Sequence, residues 1–287
     1  MYKRFYGLRD NPFRLSADPR FLYVNSGVQE TLAALSYGIR SRKGIVLLTG
    51  EVGTGKTTLV NTLLDYLRKK KAATAYVFNA RENPTEFLEL VLADLEVDYP
   101  AGASRAQMTI RLNRWLLDRY RARQPVILIV DEAQNLPPEV LEEVRLLTNL
   151  ETSSEKLLQI VLVGQPELER RLAQPELRQL AQRIAFWTKT SPLSLEQMRD
   201  YIRCRLAVAG APGHPIFEED ALLQIHQYSR GIPRLINLLC EHALLHGYVE
   251  DKQCISAEII AIAAGDALLP LSAVSMKASG TAIAASK

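Results

Sequence analysis

Apolar positions recur along this chain with two periods, and their order dictates an architecture. Val28, Leu32, Leu35 and Ile39 return every three or four residues, the spacing of one face of a helix. SGVQ (Ser26 to Gln29) has the form of a capping box at its start. GIVLLTG (Gly44 to Gly50) is a short unbroken apolar run between glycines, the pattern of a strand buried on both faces. TTLVNTLLDYLRKKK then reads as a helix, TAYVFNA (Thr74 to Ala80) as a strand and PTEFLELVLADL as a helix. A further helix over Ala106 to Arg123 precedes the strand VILIVDEAQ (Val126 to Gln134). PEVLEEVRLLTNLE predicts a helix, LLQIVLVGQ (Leu157 to Gln165) a strand, PELRQLAQRI a helix and RIAFWTKTS a fifth strand. Strands alternating with helices predict an α/β fold with a mostly parallel five-stranded sheet between helices.

From Pro192 the strand signal stops. SLEQ (Ser194 to Gln197) caps a helix reaching about Ala209, and FEEDALLQIHQYSR, PRLINLLCEHALLHG and SAEIIAIAAG predict three more. The expected organisation is an N-terminal wrapping segment at 1–25, an α/β domain at 26–191 and a small all-helical lid at 192–266. Residues 267–287, small and polar, read as a disordered tail.

Composition narrows the class without naming a partner. The net charge of +3, from 35 basic and 32 acidic side chains, is too nearly balanced to argue for nucleic acid or an anionic membrane. Cys204, Cys240 and Cys254 lie far apart, which suggests reduced thiols in a cytoplasmic protein. The N-terminus lacks the apolar run of a signal peptide, and Ile259 to Val274 is interrupted by Asp266 and Pro270. A membrane-spanning chain is not expected. RKKK (Arg68 to Lys71) reads as a solvated helix end, and the arginines from Arg111 to Arg123 as the polar face of an amphipathic helix before a DNA contact. His242 and His246 stand at i, i+4 near Cys240, but no carboxylate completes a metal site.

The chemistry starts at GEVGTGKTTL (Gly50 to Leu59), which fits G-x-x-x-x-G-K-[ST] between a predicted strand and a predicted helix. In Gly50, Glu51, Val52, Gly53, Thr54 and Gly55, the glycines let backbone N–H groups approach phosphates at a helix N-terminus. Lys56 would reach the β- and γ-phosphates, Thr57 would hold Mg²⁺, and Thr58 follows in the same turn. Asp131 ends a buried strand, where a carboxylate is costly without a partner such as hydrated Mg²⁺. Glu132 beside it can polarise an attacking water, which favours hydrolysis over transfer to a small-molecule hydroxyl.

Gln165 follows a strand directly and should emerge at the same sheet edge as Asp131, where open α/β sheets bind ligands. It can sense the γ-phosphate or hold the water. Arg234 lies in the first turn behind Pro233, where a cation opposes the helix dipole by ~0.3–1 kcal/mol. A nucleotide phosphate would compensate it, and the lid would then report the nucleotide state. Arg178 and Arg183 precede the fifth strand on what reads as one helix, about 140° apart, so they cannot share a face. Arg183 is the better candidate for an arginine finger reaching a neighbouring subunit's γ-phosphate, with Arg178 next.

Together these residues resemble an AAA+ ATPase. Within that group FYGLRDNPFRLSADPRFLY, SYGI, LTGEVGTGKTTL, LIVDEAQNL and RLLTNLETSSEKLLQIVLVGQPEL are similar to ATPases of the ExeA/GspA (general secretion pathway protein A) family, from Met1 to about Gly265. The resemblance implies ATP and Mg²⁺ as cofactors, a homo-oligomer, and a protein partner in a secretion or export system at the inner membrane. Lys56, Thr57, Asp131, Glu132, Gln165 and Arg234 take by motif the roles given above. Family members commonly continue into a transmembrane helix and a peptidoglycan-binding domain, which the residues after the lid do not provide. AFW (Ala185 to Trp187) stands where relatives often carry another arginine. The alternative is a DNA-targeting ATPase of the kind that loads transposases, which shares the core and a stretch like LVGQPEL.

Overall fold

The computed structural model describes residues 1–78, 83–211 and 213–266. The last two positions of the strand read over Thr74 to Ala80, and the tail expected at 267–287, lie outside the described residues. The chain divides into two units. Among the described residues, one combines 24–52 with 56–191, and the other combines 1–23, 53–55 and 192–266.

The first unit is an α/β layer structure. Its strands are β1 (Ile45–Gly50), β2 (Ala73–Phe78), β3 (Val126–Asp131), β4 (Leu158–Gly164) and β5 (Ile184–Thr190). All neighbours pair in parallel, in the order β2-β3-β4-β1-β5. The unbroken apolar runs became the three central strands, buried at every position, whereas the edge strands β2 and β5 have exposed positions. That is the expected difference between strands covered on both sides and strands at a margin.

One face carries Leu128, Ile160 and Leu162. These pack with Phe87 and Leu88 of α4 (Pro84–Asp94), Leu112 of α5 (Arg105–Arg121) and Val140 of α6 (Pro138–Leu147). The other face meets α2 (Ser26–Arg40) and α3 (Lys56–Lys69). Gly38 of α2 lies so close to β1 that a Cβ there would stand 2.3 Å from a Val46 methyl.

Three local features differ from the apolar pattern. The cap of α2 is Asn25, whose side chain accepts the Val28 N–H at 2.8 Å, so Ser26 is already helical. The helix expected over 175–184 is shorter and broken, a 3₁₀ turn at Pro175–Leu177 followed by α8 (Arg178–Ala181). Between β4 and that turn lies α7 (Pro166–Leu172), too short for its two buried leucines, Leu168 and Leu172, to establish a period.

The second unit is helical. It holds α1 (Tyr2–Phe5), α9 (Leu195–Val208), α10 (Glu219–Ser229), α11 (Pro233–Val249) and a helix at 257–266. Ser194 and Gln197 form the reciprocal capping box that the sequence predicts. The N-terminal residues belong to this core through Arg205, a buried cation. Its guanidinium donates to the carbonyls of Pro12 and Arg14 and to the Tyr201 hydroxyl, and lies 4.8 Å over the Phe21 ring. No described helix is long and apolar enough to cross a membrane.

Candidate active site

β1, β3 and β4 are parallel neighbours, so their carboxyl ends meet at one edge and deliver Gly50, Asp131 and Gly164 side by side. The chain leaves β1 through the glycine-rich loop and enters α3 at Lys56. Gly53 and Gly55 have φ of +81° and +99°, a region that disfavours a side chain. Lys56 is buried, and its ammonium donates to the carbonyls of Gly50 at 2.8 Å and Glu51 at 3.1 Å. Burial lowers its pKa, while the charges of Glu132, Asp131, Glu51 and Glu167 partly offset the shift. A desolvated cation favours an incoming anion that can pair with it, whereas the carboxylates nearby oppose that anion. Thr57 is exposed at the start of α3, and Thr58 is half-buried beside it.

Asp131 is also buried, and both its oxygens are engaged. Oδ1 accepts the Glu132 N–H at 2.8 Å and Oδ2 accepts the Tyr76 hydroxyl at 2.7 Å. Burial, and the hydrogen bond to Asp131, push the Tyr76 phenol well above its ordinary pKa, so it remains a donor. Each carboxylate oxygen has a further lone pair, and an anionic oxygen set suits Mg²⁺, which keeps several of its waters. Thr57 and Asp131 thus fit the ion by chemistry.

Glu132 adopts a left-handed backbone, with φ of 52°. This uncommon conformation for a side-chain-bearing residue turns the chain out of β3. Its Oε2 accepts the Gln165 amide at 3.1 Å and the Gln134 amide as well. Gln134 in turn accepts the Gln165 backbone N–H at 3.1 Å, and its carbonyl accepts Arg171. The structure therefore brings Gln165 to Glu132, as strand position predicts, and adds Gln134. That residue is visible in the sequence three positions after Asp131, but nothing in the pattern distinguishes it from a turn residue.

The arginines separate. Arg234 is exposed at the second position of α11, and its N–H donates to the Gly53 carbonyl at 3.1 Å. Ile232 at the N-cap has no side-chain acceptor, so Gly53 supplies one for a helix-terminal donor. Arg183 is not on a helix with Arg178. It follows the C-cap Gln182, so their helical angle does not apply. Arg183 precedes Ile184, which pairs with Ile45 at the amino ends of β5 and β1. Seven residues of β5 separate it from the phosphate-loop edge, about 20 Å at strand rise. Arg178 is exposed beside a hollow lined by Leu172, Pro175 and Gln182. Among the described residues no metal-binding cluster of His, Cys, Asp or Glu occurs. Cys240 is fully buried and His246 hydrogen-bonds Asp266.

A family model described as an AAA domain matches residues 39–172, the span from the end of α2 to the end of α7. This chain carries an AAA domain. Such a domain is a nucleotide-binding module, and the loop at Gly50 to Thr57 lies within the match. Over 264 residues, 92% of this chain, it is 44% identical to general secretion pathway protein A of Aeromonas hydrophila. The chain is a homologue of that protein and spans about half of its length, 48%. Solved structures repeat the AAA+ fold with its C-terminal helices. Cdc6p from Pyrobaculum aerophilum matches with a TM-score of 0.66 and 20% identity, covering 88% of this chain and 71% of that one. The RuvB Holliday junction branch migration motor of Thermotoga maritima matches at 0.55 and 16%, covering 84% and 68%. At these identities the likeness concerns the fold alone.

Proposed function

We propose that this chain binds ATP with Mg²⁺ and hydrolyses it as an oligomer. The cycle would drive assembly or remodelling of a protein complex in a secretion or export system, acting from the cytoplasm and reaching the inner membrane through a partner. The secretion context rests on the 44% identity to general secretion pathway protein A. Hydrolysis rests on one observation: Glu132 has Oε2 held by two amides, from Gln165 and Gln134, one residue beyond buried Asp131.

A carboxylate fixed through one oxygen offers the other to the proton of an attacking water, a positioned general base. Lys56 neutralises charge on the phosphates, and the loop N–H groups and the α3 N-terminus add to that field. When bound, Mg²⁺ supplies charge stabilisation to the transferring phosphoryl group, with Thr57 and Asp131 holding it. Gln165 orients Glu132 and the water, and Arg234 answers the phosphate charge.

Glu132→Gln separates binding from chemistry. ATP affinity should stay near wild type while phosphate release falls by about 10²–10⁴-fold. Wild-type turnover in this variant would remove the assignment. The ATP-loaded variant should co-purify with a component of a secretion or export system. Duplex DNA should leave turnover unchanged, and salt-sensitive DNA binding with stimulated hydrolysis would replace the secretion reading with a DNA-targeting one.

A further inference from the structure

We propose that Tyr76 is a positioning residue for the metal-holding carboxylate: its hydroxyl locks Asp131 so that metal affinity in the nucleotide complex depends on it. This deepens the functional reading above and rests on its assignment of Asp131. Tyr76 stands on the edge strand β2, level with Ile129, and Phe78 is level with Asp131. The hydroxyl must therefore run along the strand by two residues, about 6.6 Å, to meet the carboxylate. It does so at 2.7 Å.

The reach is held at the backbone and at the ring. The Tyr76 N–H, on the open edge of β2, donates to the Asp94 carboxylate of α4. Its ring stacks against Phe78, with centroids 6.0 Å apart and planes inclined by 30°. Phenylalanine would satisfy the half-buried strand position equally well, and a half-buried phenol could be served by water. The hydroxyl instead occupies Asp131 Oδ2 while the Glu132 N–H occupies Oδ1. A carboxylate with a donor on each oxygen cannot rotate, and its remaining lone pairs point to a fixed place. Partners of this kind behind a metal-holding group commonly change metal affinity by about 10–100-fold when removed.

The test is Tyr76→Phe in the full chain, which keeps the ring and its stacking. Mn²⁺ is titrated by electron paramagnetic resonance into the protein with ADP. Affinity for Mn²⁺ should fall by roughly 10-fold or more, while ADP affinity in EDTA stays unchanged. Excess Mg²⁺ should restore turnover, so the loss appears in the Mg²⁺ requirement rather than in kcat. In an Asp131→Asn background the Phe substitution should add nothing, because the two changes act through one contact. Equal Mn²⁺ affinity in Tyr76→Phe and wild type overturns the positioning role and leaves Asp131 intact. Absence of Mn²⁺ binding in the wild-type complex overturns it together with the Asp131 assignment. A further loss on the Asp131→Asn background would show that Tyr76 acts elsewhere, and overturns it too.

Discussion

The side-chain amide of Gln165 donates to Oε2 of Glu132 across 3.1 Å, joining the turn after β4 to the turn after β3. The Glu132 carboxylate, the proposed general base, is thus held by a residue just beyond the neighbouring strand. Gln165→Ala should lower kcat by about 10–100-fold with ATP affinity within a few-fold of wild type, because only orientation is lost. Gln134→Ala should lower kcat and also the unfolding midpoint, since the Gln165 N–H loses its acceptor at a cost of about 1–3 kcal/mol. Steady-state kinetics and thermal unfolding of both variants distinguish the two effects.

Lys56 carries a charge that burial desolvates. In Lys56→Met the ammonium's bonds to Gly50 and Glu51 are lost, but so is its desolvation cost. The terms offset, so stability without nucleotide should change by no more than about 1 kcal/mol. ATP affinity should fall by roughly 10–100-fold, the value of a charge-assisted contact. Calorimetric titration and chemical denaturation of the same preparation check both.

Arg183 sits about 20 Å from its own phosphate loop by strand rise, so any contact with a γ-phosphate would be to another subunit's. Specific activity should rise with protein concentration. Arg183→Ala should keep ATP affinity and lose most turnover, since fingers contribute ~10³–10⁵ in rate. Mixing it with Lys56→Ala should recover activity, because the latter still offers Arg183 to an intact site. Activity flat with concentration, and no recovery on mixing, would make Arg183 a residue of the fold.

Glu143 in α6 has its side chain only 3% exposed and pairs with Arg105, itself 45% exposed. Burial raises the Glu143 pKa, with the Arg105 charge opposing and Glu142 adding. A carboxyl raised in the fold contributes stability below its unfolded value and loses it as pH climbs through the folded pKa. Arg105→Ala should therefore destabilise by about 2 kcal/mol at pH 8, less than for a fully buried pair because Arg105 is half in water. The deficit should shrink as pH falls, because the proton that Glu143 takes up removes the unpaired charge. Denaturation across a pH series checks the sign, and adding Glu143→Gln should abolish the pH dependence.

Arg205 fastens residues 12–21 to α9. Arg205→Ala should destabilise the helical unit by about 3 kcal/mol, through lost ring packing and carbonyls left without donors. Arg205→Lys should recover little, since one ammonium cannot span the Pro12 and Arg14 carbonyls while stacking on Phe21. Limited proteolysis should release the N-terminal residues first in both variants.

Contiguous features were legible from the sequence. The five strands, the glycine loop into α3, and the Asp131–Glu132 pair at the end of a buried run are set by short-range rules. Backbone permissiveness, side-chain period and capping act within a few residues, so a single stretch carries the information. Gln165 was legible for a related reason: a residue directly after a parallel strand must emerge at the common carboxyl edge. The stretch 175–184 reads as one helix because Pro175, Leu177 and Leu180 fit a helix locally, but the chain breaks there into a 3₁₀ turn and one helical turn.

What the sequence by itself determined is therefore the element order and the place of the glycine-rich loop between β1 and α3. Tertiary structure alone decided which side chains meet. Tyr76 reaches Asp131 from 55 residues away, and Arg205 holds Pro12 from 193 away. Such pairs follow from the parallel pairing of β2 with β3 and from the packing of the N-terminal residues onto α9. Periodicity names the face a residue occupies, but it carries no term for the element placed opposite. That choice is made by burying all the apolar faces of a unit at once, and so belongs to the whole unit rather than to any window of it.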